Sequence, residues 1–268
     1  MYSIITFNLE YGAEKYGIDR AANLIASSHS TIALLQETRQ HEFRSPDVTV
    51  AIASRLGWYF LRFENSSTAI LSTLPITKIG EGSCFGLAKI GELFVCVIHL
   101  LDYPYIAFEA VGIKYPAECT TDCFRSTDAV QLRNRSFAKH FSEYAELREA
   151  FGRLPKNAKI IAGGDFNEPS HLDWTAEAVL LGRVPFTIKF PSSTVMENLG
   201  FIDAYRTIFP DPISNPGYTW PDHDPGYQFR SDRIDYIFAK NLTVKSAEVI
   251  PTFVSDHSIV RVSLSTVG

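Results

Sequence analysis

A run of about 18 apolar residues, the length a membrane-spanning helix needs, is missing from this 268-residue sequence. A leader is missing too: Met1 runs directly into a strand-like segment with neither a basic flank nor a long apolar core, so a cytoplasmic protein is expected. Cysteine is scarce. Cys84, Cys96, Cys119 and Cys123 are too few and too scattered for a disulfide framework. Cys119 and Cys123 are near enough to pair across a loop or to share a metal with a histidine, but two free thiols in an irregular segment are the plainer reading. Runs of Lys and Arg are absent and the net charge is −5, which removes any global attraction for nucleic acid while leaving a local basic cleft open. No stretch in the middle has the composition of a linker, so one domain over 1–268, acting as a monomer, is expected.

The chain has apolar material in quantity. With 46% hydrophobic, 13% aromatic and 21% charged residues it can bury a large core and is not disordered. Alternation and β-branched residues predict strands over Tyr2–Asn8, Thr31–Gln36, Trp58–Phe63, Ala69–Ser72, Glu92–His99, Lys159–Ala162, Arg233–Ala239, Leu242–Val249 and Ile259–Leu264. Helical spacing predicts Ile18–Ser28 and Val48–Leu56, the latter closed by Gly57. It also predicts a long helix capped by Ser126 and running to about Phe151, with Val130, Phe137, Phe141, Tyr144 and Leu147 as its core-facing stripe. A short helix is predicted over Asp173–Leu181, and Pro185–Pro225 is dense in turn signals. Between strand and long helix, Leu101–Arg125 carries Tyr103, Pro104, Tyr105, Phe108, Tyr115, Pro116 and Phe124 without periodicity, which reads as an aromatic insert of the kind that sets substrate choice.

Five segments carry the chemistry: SIITFNLEYG at 3–12, ALLQET at 33–38, KIIAGGDFNEP at 159–169, SDRIDYIFAK at 231–240 and VSDHSIV at 254–260. Each is a hydrophobic run that ends in carboxylate, amide or imidazole groups, which places hard oxygen ligands and a proton carrier at a sheet edge and points to metal-assisted hydrolysis. Each alone also has a plain structural reading. Gly163–Asn167 suits a turn as well as a site, although the spacing of Asp165 and Asn167 puts both on one face of an extended segment. Glu37 reads as a surface acid past its strand, Asn8 as a cap, Glu10 as a solvated loop acid, and His99 as a satisfied polar strand end. Asp235 shifts the balance. A carboxylate among Ile234, Tyr236, Ile237 and Phe238 is almost never left without a partner, and an imidazole such as His257 beside it is held in one tautomer and kept basic.

These residues resemble a known family. Phe7–Asn8–Leu9–Glu10, Leu35–Gln36–Glu37–Thr38, His99–Leu100, Gly164–Asp165–Phe166–Asn167, Arg233–Ile234–Asp235–Tyr236 and Ser255–Asp256–His257 together resemble the endonuclease/exonuclease/phosphatase superfamily of divalent-metal phosphoesterases across the whole chain. The resemblance implies an α/β fold, a four-layer α/β sandwich of two packed mixed β-sheets flanked by helices, with a cleft at one end of the sheets. It implies Glu37 as the principal Mg²⁺ or Mn²⁺ ligand, Asn8 orienting the site, Glu10 supporting it through water and Asp256 contacting a second metal. Asp165 would align and help deprotonate the attacking water, Asn167 would donate to the phosphoryl oxygens and His99 would stabilise their charge. Asp235 would orient His257, itself a base or a phosphate ligand. The set is needed as a whole, because phosphoester hydrolysis asks for a barrier reduction on the order of 20 kcal/mol while one acid or base supplies about 3–5 kcal/mol.

The substrate is less legible. The inositol polyphosphate 5-phosphatase branch usually has a leucine between the Asp and Asn and then Asn–Tyr–Arg, where this chain has Phe166 and Glu168–Pro169–Ser170–His171. The abasic-site nuclease branch uses basic loops that have no counterpart here. Bacterial family members resemble the chain further through Glu168–Trp174, His99–Tyr105 and Tyr218–Pro221. The acidic balance and the aromatic insert favour a small phosphorylated mono- or diester over nucleic acid. Tyr103, Tyr105 and Trp220 are candidate substrate contacts, with Arg135 as a candidate cation, although a solvated face is the simpler reading of Arg133 and Arg135. A nuclease and a catalytically silent binding module are the alternatives.

Overall fold

Neighbouring residues along a strand point to opposite sides, and in the central strands of this chain both sides are buried. Ile4 and Leu34 face one apolar cluster while Ile5 and Leu35 face another, and none of the four is exposed to solvent. A strand with two buried faces lies between layers. The structure, a computed structural model, describes residues 1–39, 47–113, 126–221 and 231–266.

In chain order these residues form β1 (Tyr2–Asn8), an irregular turn α1 (Glu10–Ala13), α2 (Ile18–Ser27), β2 (Ile32–Gln36), α3 (Thr49–Leu56), β3 (Tyr59–Phe63) and β4 (Thr68–Ser72). There follow β5 (Thr77–Glu81), β6 (Phe85–Ile90), β7 (Leu93–His99), α4 (Ile106–Val111), α5 (Ala129–Lys139), α6 (Phe141–Gly152) and β8 (Lys159–Asp165). The last elements are α7 (Ala176–Leu180), α8 (Pro191–Asn198), β9 (Ile202–Asp203), α9 (Ala204–Ile208), β10 (Asp235–Lys240), β11 (Leu242–Ile250) and β12 (Ile259–Thr266). They build two six-stranded mixed sheets, ordered β11-β12-β1-β2-β4-β3 and β5-β6-β7-β8-β10-β9. Each sheet has the same pairing sequence, with one parallel pair, β1–β2 or β7–β8, among antiparallel neighbours. This two-fold repetition is invisible in the residues. One core fills the space between the sheets, a second lies under α2 and α3, and a third lies under α6 and α8, giving the expected α/β/β/α sandwich.

Several sequence expectations need correction. The long helix from Ser126 is two helices broken at His140, whose φ of −102° leaves the helical range. Asp128, not Ser126, caps the first by accepting from Val130 N and Gln131 N. Val130, in the first helix, which buries Leu132 and Ser136 instead, and Phe141, at the start of the second, stand 63% and 60% exposed, while Tyr144 and Leu147 are buried. Asp173 lies outside its predicted helix, which starts after the cap Thr175, and binds Arg206 and Arg233 instead. The hairpin β5–β6 was not anticipated, nor was α4 inside the insert, nor α8 and α9 in the turn-rich stretch. Tyr115, Pro116, Cys119, Cys123, Phe124 and residues 222–225 lie outside the described residues. Cys84 and Cys96 are buried free thiols whose pKa burial raises, so both are inert. Among the described residues no helix is long and apolar enough to cross a membrane.

Behind β8 lies a buried acid. Glu168 is 3% exposed, accepts from Ser192 N at 2.6 Å and from the Ser136 hydroxyl, and burial lifts its pKa to about 7. A raised pKa means the folded state holds the proton more tightly than the unfolded chain. The resulting stabilisation is full below about pH 4.5 and is lost as pH rises through about 7, a change of about 2–3 kcal/mol between pH 5 and pH 8. Glu168→Gln should therefore shrink the difference in urea-unfolding free energy between these two pH values by that amount, and an unchanged difference would refute the assignment.

Candidate active site

The parallel pairs deliver their strand ends to the same edge of the sandwich. In β1–β2, Asn8 stands opposite Gln36, so Asn8 and the next residue, Glu37, emerge side by side. In the other sheet His99, Asp165 and Asp235 form one row across β7, β8 and β10, since His99 pairs with Asp165 and Asp165 with Asp235. Gly164 permits this row. Its φ is +153° and a Cβ there would lie 1.7 Å from the Ile98 carbonyl, so a side chain would push β8 away from β7. Asn8, fully buried, joins the sheets: its Nδ2 donates to Glu37 Oε1 and to Asp165 Oδ2, both at 3.0 Å, and its Oδ1 accepts from Glu10 N at 3.0 Å. Glu37 Oε2 accepts from Tyr11 N at 2.9 Å. Glu10, Tyr11, Glu37 and Asn167 all have φ between 47° and 53°, a left-handed conformation that side-chain-bearing residues adopt only when surroundings impose it.

His257, at the entry to β12, meets this row from the opposite sheet. Its Nδ1 lies 2.9 Å from Asp235 Oδ2, and its Nε2 lies 3.8 Å from Asp165 Oδ2 and 3.9 Å from Asp256 Oδ1. Thr219 Oγ1 accepts from Ile234 N and Asp235 N and fixes the start of β10, while Ser255 Oγ donates to the Asn8 carbonyl and accepts from His257 N. Burial alone would lower the His257 pKa, but Asp235, Asp256 and Asp165 override it and hold the imidazole well above its usual value. Burial and the neighbouring charge of Asp235 raise Asp165 to about 6, against the pull of His257 and His99. Glu37 is the reverse case: burial would raise it, yet His99, the Asn8 amide and Tyr11 N hold it low. Burial and Asp256 raise Glu10.

These groups surround a cup of about 60 Å³ that holds little more than a phosphoryl group. Glu10, Glu37, Asp102, Asp165 and Asp256 line it and no Lys or Arg among the described residues does. Glu10 Oε2 and Asp235 Oδ1 are buried without hydrogen-bond partners, and ligand atoms of Asp165, Asp235 and His257 lie within 4.8 Å of one another. Converging carboxylates with unsatisfied oxygens call for a hard cation, so the residues present fit a divalent metal.

The structure brings together Asn8, Glu10, Glu37, His99, Asp165, Asn167, Asp235, Asp256 and His257. His99 Nε2 is 4.0 Å from Glu37 Oε1 and 3.9 Å from Asp165 Oδ2. Two of the reasons given from sequence were wrong. Asp235 is the first residue of its strand, not an interior one, and its burial comes from the facing sheet. Asn167 does not share an extended face with Asp165: the chain turns left-handed, and Asn167 Nδ2 donates to the Leu100 carbonyl at 2.9 Å. Tyr105 and Trp220 wall the cup, but Tyr105 OH donates to Asp232 Oδ2 and Trp220 Nε1 to Asp256 Oδ2, so their polar atoms serve the framework. Arg135 forms ion-paired bonds to Glu109 on α4, and Tyr103 is 47% exposed; neither lines the cup. Arg233 reaches Asp173 and Asp203 rather than pairing locally. Sequence reasoning missed Tyr11, Asp102 and Thr219, whose contributions are a backbone donor, a rim position and a hydroxyl that periodicity does not mark.

Residues 5–257 match the sequence model of the Endonuclease/Exonuclease/phosphatase family. The chain is 34% identical over 266 residues to the uncharacterized protein F14F9.5 of Caenorhabditis elegans, covering 90% of this chain and 79% of that protein. Among solved structures, the 3′ phosphatase NExo from Neisseria, bound to a product DNA hairpin, has a TM-score of 0.64 at 17% identity, with 99% of this chain and 100% of that chain covered. An AP endonuclease from Archaeoglobus fulgidus has a TM-score of 0.65 at 17% identity, with 99% and 100% covered. At that identity the likeness is one of fold. For the site, the carboxylate control of His257 is testable: in the metal-free chain Asp235→Asn should lower the imidazole pKa, followed by ring-proton NMR. An unmoved titration would show that Asp235 does not set it.

Proposed function

This chain belongs to the endonuclease/exonuclease/phosphatase family, whose members are metal-dependent phosphoesterases and nucleases, and we propose that it hydrolyses a phosphomono- or diester of a small phosphorylated compound. The observation that carries the reading is the Asn8-bridged pair Glu37 and Asp165, with the Asp235-bound His257 reaching within 3.8 Å of Asp165, at a cup of phosphoryl size. Glu37, with Asn8, Glu10 and Asp256, would hold Mg²⁺ or Mn²⁺, which supplies charge neutralisation for a phosphoryl group among these carboxylates. Asp165, with its pKa lifted to about 6 by burial, is placed to accept a proton from water. Asp235, Asp256 and Asp165 raise the His257 pKa well above the usual imidazole value against the effect of burial, which suits it to donate Nε2–H to a phosphoryl oxygen rather than to act as the base. His99, whose Nε2 lies 3.9 Å from Asp165 Oδ2, is the second imidazole for that charge, and the remaining amide proton of Asn167 is the third donor.

The preference for a small substrate rests on charge. Among the described residues that line the cup and the groove beside it, Arg39 is the one Lys or Arg, and it is paired with Glu64. Counterion release from a long polyanion needs several such groups. The second reading, a nuclease, draws on the openness of that groove, about 690 Å³, and on the DNA hairpin and AP endonuclease named for the structural relatives.

A panel of nitrophenyl phosphate, bis(nitrophenyl) phosphate, sugar and inositol phosphates and plasmid DNA, with Mg²⁺ or Mn²⁺ and with chelator, separates the readings. Turnover of the small esters, abolished by chelator and reduced at least about 10³-fold in Asp165→Asn and His257→Ala with folding retained, is the expected result. Metal-dependent nicking of DNA with no ester turnover would establish the nuclease reading, and full activity in both variants would refute the site.

A further inference from the structure

The cup is too small for a whole substrate, so the group beyond the phosphorus lies outside it. The groove of about 690 Å³ opens onto Glu37 and His99 and is lined further by Tyr11, Asn65, Ser67, Ser83, Leu101 and Asp102. Tyr11, 45% exposed, and Leu101, 50% exposed, supply apolar surface, and Asn65, Ser67 and Ser83 supply hydrogen-bonding groups.

The wall of this groove is held in an unusual way. The backbone after His99 is gripped at successive residues: the Leu100 carbonyl by Asn167 Nδ2, Leu101 N–H by Glu143 Oε1 at 2.9 Å, and the Asp102 carbonyl by Lys139 Nζ at 2.9 Å. Glu143 is itself fixed, its Oε2 lying 2.6 Å from Nδ1 of His140, which is 1% exposed. One turn further along α6, Glu146 accepts from Ser83 N at 2.7 Å and Ser83 Oγ at 2.9 Å. Three charged residues flanking the helix break therefore order two loops, 82–84 and 100–102. Burying Glu143 to 8% exposure is energetically unfavourable, and beyond the buried Leu100 what it orders is the exposed edge of Leu101 and Asp102. An exposed edge held by charged side chains is a pre-ordered surface of the kind recognition uses.

We propose that Lys139, Glu143 and Glu146 are positioning residues that fix the groove wall where the leaving group rests, and that the groove selects leaving groups with an aromatic or heterocyclic body carrying polar substituents. This rests on the hydrolase reading above. Asp102 reaches the rim of the cup, but Glu37, Asp165 and His257 make no hydrogen bond to Lys139, Glu143 or Glu146, so loosening the wall weakens binding of ground and transition states alike and raises KM with kcat unchanged.

The test compares kcat and KM for nitrophenyl phosphate, which has an aryl leaving group, and glycerol phosphate, which has a small polar one, under Mg²⁺ or Mn²⁺. Lys139→Met and Glu143→Ala should each raise KM for the aryl ester about tenfold, with kcat and the glycerol ester within about twofold of wild type. Glu143→Gln keeps the acceptor for Leu101 N–H and should stay near wild type. Equal losses on both esters, a fall confined to kcat, or no change in any variant overturns the proposal while the hydrolase reading stands. Absence of turnover by the wild-type chain on both esters overturns that reading and this proposal with it. Thermal unfolding of each variant checks folding, and should Glu143→Ala fail to fold, Lys139→Met and Glu143→Gln carry the comparison.

Discussion

One buried amide fixes the relation between the two sheets at the site. Asn8 donates to Glu37 of its own sheet and to Asp165 of the other, and its backbone carbonyl accepts from Ser255, four residues ahead of β12. A fully buried amide between two carboxylates is satisfied only when both stand where they do, and each unmade bond of this kind costs about 1–3 kcal/mol. The sandwich therefore has little freedom to slide at this end. Everything chemical in the cup, from the left-handed turn at Glu37 to the facing of Asp165 and His257, depends on that registration.

The electrostatics divide around Asn8 in a way that assigns different jobs to similar groups. Glu37 keeps a low pKa because His99, Asn8 and Tyr11 N support its charge, whereas Asp165 is raised because Asp235 crowds it in a buried place. The first suits a permanent cation ligand and the second a group that exchanges a proton. His257, whose pKa Asp235, Asp256 and Asp165 raise against the effect of burial, is the imidazole of an otherwise acidic cup. Burial of so many carboxylates is tenable because the Asn8 amide and the two imidazoles each answer part of the charge.

Outside the cup, ion pairs between distant parts of the chain replace loops' own packing. Arg233 joins Asp173 and Asp203, and Arg206 joins Asp173 and donates to the carbonyls of Phe209, Asn215 and Pro216. This ties down the segment that ends in Thr219 and Trp220, which in turn brace Asp235 and Asp256. The clamps on the 82–84 and 100–102 loops follow the same logic from α5 and α6. Strand ends carry the polar residues of the cup, and charged residues on the helices decide where the surrounding loops stand.

The sequence by itself determined the strands that alternate cleanly, the family, and the identity of the polar residues at the strand ends, because period-two burial and short motifs are local properties. Asn8, Glu37, His99, Asp165, Asp235 and His257 were all readable in this way. It did not determine the break at His140, since the stripe of Phe137, Phe141 and Tyr144 satisfies one continuous helix as well as two, and only packing on the sheet leaves Phe141 outside. Nor did it determine why Asn167 faces the site, which depends on a left-handed turn, or whom Arg233, Tyr105 and Trp220 bind, since their partners lie far along the chain. The tertiary structure decided these, because the pairing of two sheets with the same strand order brings six strand ends to one edge, and no local pattern encodes which ends will meet.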